Sequence, residues 1–284
     1  MNPFEVLASA KLNLTLAVLG RREDGFHEIE SRVVAVGLYD RLSFRAASGF
    51  QLRVKGTTKC AADETNLVHR AAHALARAAG RDFDVQIELT KVIPIGAGLG
   101  GGSSDAAATL KGLCGHWGLN WPLERLLSIA AGLGSDVPFF LDGRPAILRG
   151  RGEVLEPLEI RGDLWAAIVV PPYGLSTVDV YRRFDELGGA VRTPDPAHGT
   201  TAREIMARSF NDLEPAAFSF QPQLRELHQR LNADRFVRMS GSGSALFTLF
   251  DDEQEARRWS ARVRDDGSGT VEVVPVLAKP LQMD

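Results

Sequence analysis

The chain has 284 residues, 44% of them hydrophobic, enough for one large or two modest domains with an ample core. Its formal net charge is −3, with acids and bases interspersed, so no basic field favours nucleic acid. The two cysteines, Cys60 and Cys114, suit a reduced, cytoplasmic protein better than a disulfide scaffold, and without a neighbouring His/Cys cluster they argue against structural zinc. The N-terminus lacks a basic region followed by an unbroken apolar run. The longest apolar run, residues 164–170, is far too short for a bilayer, so neither a signal peptide nor a membrane anchor is expected.

In chain order, residues 4–8 read as a short strand. From Lys11, Leu12, Leu14, Leu16 and Val18 alternate with Asn13, Thr15 and Ala17, the period of a half-buried strand. After the polar turn GRREDGFH comes a strand over 29–36, then a hairpin of 41–46 and 50–55 around Ser48-Gly49. Residues 63–66 cap a helix that runs to Ala79 and stops at Gly80. A strand over 83–91 feeds a glycine loop and a helix, and a second helix follows over 122–133. Strands over 146–148 and 154–158 flank a turn at 150–152, and 164–170 is a buried strand closed by Pro171-Pro172. Helices are expected near 177–187, 201–209 and 222–232, with a Gly/Pro-rich loop at 188–199. Strand, glycine turn and strand follow in FVRMSGSGSALFTLF, then a helix over 253–263 and a strand over 270–276. Early strands followed by interleaved helices and strands make an α+β pattern in two lobes.

The stretch that organises the rest is KVIPIGAGLGGGSSDAAATLKGLCGHW, residues 91–117. Gly96, Gly98, Gly100, Gly101 and Gly102 put five glycines in seven residues, which has no use in a core but lets backbone approach a ligand. Ser103 and Ser104 offer hydroxyls and an N-cap, Asp105 a first-turn charge, and apolar residues from Ala106 to Trp117 recur at helical spacing. Free N–H groups at such a helix start form an anion site, so the loop is read as holding a polyphosphate. The Walker pattern fails because no lysine adjoins the serines. Gly96, Gly98 and Gly101 fit G-x-G-x-x-G, but the acid wanted about 20 residues on is missing until Glu124. A flexible linker is a poor fit, because the run leads straight into an Ala-rich helix.

Pro94 to Ala107 resembles the phosphate loop of the GHMP kinases. The resemblance implies an ATP-dependent small-molecule kinase with Mg²⁺, in which Pro94, Gly96, Gly98, Leu99, Gly100, Gly101, Gly102, Ser103 and Ser104 hold ATP. It puts Ser104 near the magnesium and Asn66 and Leu67 against the adenine. It also implies the fold: an N-terminal lobe like ribosomal protein S5 domain 2 over 1–158, carrying the ATP and catalytic site, and a ferredoxin-like lobe over 159–284.

Phosphoryl transfer needs the nucleotide held, charge offset and an acceptor hydroxyl aligned. Asp136 in GSDVP reads from spacing as a helix-capping aspartate; the resemblance makes it the general base. Lys11 is either a strand-end lysine reaching for water or, as in the resembling family, the cation beside that base. There it would favour the alkoxide that develops on attack. Asn13 shares a strand face with Lys11 and is either an ordinary polar position or a hydrogen-bonding group for substrate. His27 is a lone loop histidine or a reader of an amino-pyrimidinone edge, and Phe26 beside it has a face for a base.

The segments AKLNL and GRREDGFHEIES resemble one branch of the family, whose acceptor is a methylerythritol linked to cytidine diphosphate and is phosphorylated on its 2-hydroxyl. That likeness implies base contacts from Asn13 and His27 and aromatic walls from Phe26 and Tyr181. Phe26 stands where tyrosine is commoner, so stacking is expected without a hydroxyl contact. Ser240, Gly241 and Gly243 form a tight hairpin by spacing alone; by resemblance they are the family's third motif, near the phosphate loop and the acceptor. Homoserine- or mevalonate-type kinases are the rival enzymes, but their acceptors have no base for Asn13, Phe26 and His27 to read. A catalytically silent nucleotide-binding regulator is the rival of another class, and it has no need of Lys11 and Asp136.

Overall fold

A computed structural model of the protein describes residues 4–56, 60–189, 199–264 and 267–279; most of the 188–199 loop lies outside them. The first part of the chain runs β1 (Phe4–Asn13), β2 (Thr15–Arg21), β3 (His27–Ala46), β4 (Gln51–Gly56), α1 (Leu67–Ala79), β5 (Val85–Lys91), α2 (Gly101–Trp117), α3 (Leu123–Leu133), α4 (Val137–Asp142), β6 (Ala146–Arg149) and β7 (Val154–Pro157). The rest runs β8 (Trp165–Val170), α5 (Thr177–Glu186), α6 (Ala202–Arg208), β9 (Phe210–Asn211), α7 (Glu214–Phe220), α8 (Pro222–Asn232), β10 (Arg238–Met239), β11 (Leu246–Phe250), α9 (Glu253–Arg264) and β12 (Thr270–Leu277). This is the α+β architecture that the alternation of patterns implied.

The strands follow one another as β10-β11-β8-β12-β3-β2-β9, with β1, β5 and β6 also paired to β3. Three local expectations fail for physical reasons. Residues 41–46 and 50–55 do not form a hairpin. β5 lies between them, antiparallel to β3 and parallel to β4. None of its residues is fully exposed whereas β4 alternates with exposed positions, so β5 takes the inner place and β4 the edge. The two expected strands at 29–36 and 41–46 are one strand, β3, interrupted only by a register shift against β1 between Ser9 and Ala10. At that irregularity Gly37 leaves room for Pro275 of β12, whose ring would be 2.8 Å from an added Cβ. The serines do not cap α2 either. The helix opens at Gly101 behind Gly100, with no side-chain cap, so Ser103 and Ser104 lie inside its first turn.

Three apolar clusters hold the layers together. One packs α1, α2 and α4 on β1, β3 and β5, around Phe44, Leu75 and Leu110. A second packs α5, α7, α8 and α9 on β8 and β11, around Leu224, Phe250 and Trp259. The third joins the two parts: Leu12, Val34, Ile93 and Leu99 from one meet Ile168, Phe247 and Leu249 from the other. The glycine loop crosses above this shared core, anchored by Leu99, which is 1% exposed.

Candidate active site

A cavity of about 990 Å³ is lined by the phosphate loop, β1, the β2–β3 turn, α5 and the 240–244 turn. Pro94, Gly96, Gly98, Leu99, Gly100, Gly101, Gly102 and Ser103 all reach it. Gly98 has φ +74°, and a Cβ there would stand 2.0 Å from the Ser240 carbonyl oxygen; only glycine allows the two turns to meet so closely. Gly100, at φ +72°, similarly leaves space for the Lys11 stem and the Phe140 ring, each 2.9 Å from an added Cβ. Ser104 N–H donates to Gly100 O at 3.0 Å. The amides of Gly101, Gly102 and Ser103 precede that first intrahelical bond and remain the anion-binding end of α2.

Beneath the loop lies a buried ionic group. Lys91, 2% exposed at the end of β5, donates to Asp40 of β3 and, at 2.8 Å, to Asp105 of α2. Asp40 also accepts from the Val92 and Ile93 amides at 2.5 and 2.8 Å, fixing the strand-to-loop corner. Burial alone would lower the Lys91 pKa, but Asp105 and Asp40 more than offset it and the ammonium is held charged. Burial pushes the Asp105 carboxyl up to about 8, with Lys91 opposing and Asp40 adding to the rise. Asp40 accepts from three donors, whereas Asp105 Oδ1 accepts from none, in keeping with the upward shift at Asp105.

At the mouth of the cradle Lys11 Nζ lies 3.5 Å from Asp136 Oδ2. Lys11 is 4% exposed on β1, tied to the loop by its amide, which donates to Leu99 O at 2.9 Å. Asp136 occupies the position before α4 but makes no cap hydrogen bond, so its carboxylate faces the cavity instead of serving the helix. Asn13 Oδ1 accepts from Lys11 Nζ and its Nδ2 donates to Ser31 Oγ at 2.7 Å. The Asn13 amide is thus engaged on both sides by the protein and orients Lys11.

The opposite end of the cavity is built from side chains. Phe26 is half exposed, with the Arg151 guanidinium 4.9 Å from its ring centroid. His27 Nε2 lies 2.7 Å from Asp185 Oδ1, and its ring stacks on Tyr181 at 4.8 Å. Burial, with Asp136 nearby, raises the Tyr181 phenol, which stays protonated.

Asn66 and Leu67 line the same cavity. Asn66 serves as the α1 cap, accepting from Val68 N–H at 2.9 Å and donating to Ala61 O at 2.6 Å, so it shapes the wall. Gly241 also lines it; Ser104, Ser240 and Gly243 do not. Ser104 is 2% exposed inside α2, and Ser240 Oγ donates to Gly98 O at 3.0 Å, clamping the second turn on the first. Sequence reading missed the roles of Lys91, Asp40 and Asp185. Lys91 stood three residues before Pro94, an awkward place for a cation, and that was the available signal; nothing marked Asp185.

A glycine loop at a helix start, facing a lysine-paired aspartate across one cavity, defines a small-molecule kinase. The chain belongs to the GHMP kinase family: the N-terminal domain profile of that family matches residues 66–144 and its C-terminal profile residues 197–269. A curated 4-diphosphocytidyl-2-C-methyl-D-erythritol kinase of Paramagnetospirillum magneticum is 40% identical over 271 residues, covering 93% of this chain and 94% of that protein. A crystal structure of 4-(cytidine 5'-diphospho)-2C-methyl-D-erythritol kinase superposes with a TM-score of 0.78 at 38% identity, covering 96% and 98% of the two chains. A homoserine kinase from Cytophaga hutchinsonii, at 18% identity and TM-score 0.73 over 99% and 96% of the chains, shares the fold. Among the described residues no helix is long and apolar enough to cross a membrane.

Proposed function

We propose that this protein transfers the γ-phosphoryl group of ATP to the 2-hydroxyl of 4-diphosphocytidyl-2-C-methyl-D-erythritol in the non-mevalonate isoprenoid route, working in the cytoplasm. The observation that carries the reading is the Lys11–Asp136 pair, 3.5 Å apart on the wall shared by the glycine cradle and the Phe26–His27 end. Asp136 takes the proton of the acceptor hydroxyl. Lys11, oriented by Asn13, offsets the charge that grows on that oxygen. The α2 amides hold the phosphates, and Asn66 and Leu67 bound the adenine. Phe26 stacks on the cytosine with Arg151 against its ring, and His27 meets the base edge.

Magnesium belongs to this reading. Among the described residues no group of three or more His, Cys, Asp or Glu forms a metal cage. That suits a hard ion that arrives with the nucleotide and takes its ligands from phosphate oxygens and water. Ser104 and Ser103 are the hydroxyl residues that would assist, and the ion would screen the phosphate charge. The 2% exposure of Ser104 makes Ser103, at the cavity wall, the better placed of the two.

An ADP-release assay across the cytidyl substrate, homoserine, mevalonate and galactose tests the proposal. The cytidyl compound is expected to give the highest kcat/KM by orders of magnitude. Preference for any base-free acceptor, or no release with all four, overturns it.

A further inference from the structure

Asn211 ends β9, where it pairs with Leu16 of β2, and its side chain is buried. Its amide is fully engaged by backbone. Oδ1 accepts from the Leu213 N–H at 2.9 Å, and Nδ2 donates to Met239 O at 2.8 Å and to Gly241 O at 2.7 Å. Those carbonyls stand on either side of Ser240, so a single side chain holds both ends of the 239–241 turn. A primary amide brings two hydrogens to two acceptors, whereas a carboxylate of the same shape brings none.

The turn backs onto the reacting groups. Ser240 is fully buried; its Oγ accepts from the Asn13 N–H at 3.3 Å and donates to Gly98 O at 3.0 Å, bridging β1 to the phosphate loop. Gly241, at φ +56°, is pressed against both. A Cβ there would stand 3.1 Å from Gly98 O and 3.4 Å from Asn13 Oδ1. That same Oδ1 accepts from Lys11 Nζ. A shift of the turn therefore moves Lys11 relative to the loop that holds the phosphates.

From this geometry we infer that Asn211 is a positioning residue for phosphoryl transfer, fixing the turn that sets Lys11 in register with the phosphate loop. The inference rests on the functional reading above, in which Lys11 offsets charge on the acceptor oxygen. Asn211 does not line the cavity, so it acts through Asn13 and Lys11 and governs rate, not affinity. Reacting groups displaced by about 1 Å can cost about a hundredfold in rate, so a remote amide can have this reach.

The test compares wild type, N211D and the same change in a K11M background. N211D keeps the acceptor for the Leu213 N–H but turns an oxygen toward two carbonyl oxygens, which pushes the turn away. Its kcat for the cytidyl substrate is expected to fall about 10- to 100-fold, with the KM values for that substrate and for ATP little changed. In K11M the same substitution should cost about twofold or less, because the group it positions is already gone. A purely structural role would lower the unfolding midpoint alike in both backgrounds and leave kcat per folded molecule unmoved. S240A, which removes only the bridge between Asn13 and Gly98, carries the test if N211D does not fold. It should lower kcat about tenfold in wild type and hardly at all in K11M. An unchanged kcat, or losses that repeat in full in K11M, overturns the inference alone. Failure of wild type to turn over the cytidyl substrate overturns the functional reading and this inference with it.

Discussion

The two ends of the cavity are made in opposite ways. The phosphate end is backbone amide and glycine resting on the Lys91–Asp40–Asp105 group, every member of which is at most 3% exposed. The end proposed for the acceptor is side chain: Phe26 is 49% exposed and His27, Asp185 and Arg151 reach the cavity from three separate elements. A backbone cradle set on buried ions is formed before ATP arrives. A rim of partly exposed side chains is where preference for one acceptor can vary without unsettling the fold. Damage below the loop should therefore register in stability, and damage at the rim in kinetics.

The sharpest separation comes from D136N, which keeps the shape of the carboxylate and removes its basicity. Turnover should fall by about 10³-fold, while ATP affinity measured by calorimetry and the unfolding midpoint stay close to wild type. Near-normal kcat would remove Asp136 as base. Next, K91M removes the cation that Asp40 and Asp105 share in the interior. Urea unfolding should show a loss of about 3–5 kcal/mol; a loss under about 1 kcal/mol would mean that the ionic group does not support the loop. H27A should raise the KM for the cytidyl substrate about tenfold with the KM for ATP unmoved, and equal changes in both would contradict the division between the ends. The smallest effect belongs to R151A, which removes the cation from behind Phe26. A rise in the cytidyl KM of about two- to fivefold is expected, and any loss of ATP affinity would place Arg151 at the phosphates instead.

The phosphate loop was legible in the sequence because its chemistry is local: close approach requires glycine, and five of them announced it. That Lys11 and Asp136 meet was legible only by resemblance, since 125 residues part them and each alone has an ordinary structural explanation. The pairing of β3 with β5 was hidden because Ser48-Gly49 satisfies the rules for a hairpin. The cover that β3 and β4 give β5 from both sides, a tertiary fact, decided otherwise. The ionic group was hidden for the same reason: Asp40, Lys91 and Asp105 come from three elements and converge only once the sheet and α2 pack. Asp185 had no local mark at all, because its partner lies 158 residues away.

β12 lies between β8 and β3, hydrogen-bonded to both, although it is made of residues 270–277. The seam of the sheet therefore leaves the ribosome after both of the strands that it joins. Until it does, β3 and β8 each expose an unpaired edge, and the shared apolar layer lacks Val274. A nascent chain stalled before Thr270 thus carries every group of the phosphate cradle on a sheet that has not been joined, and such a fragment is a natural client for chaperones.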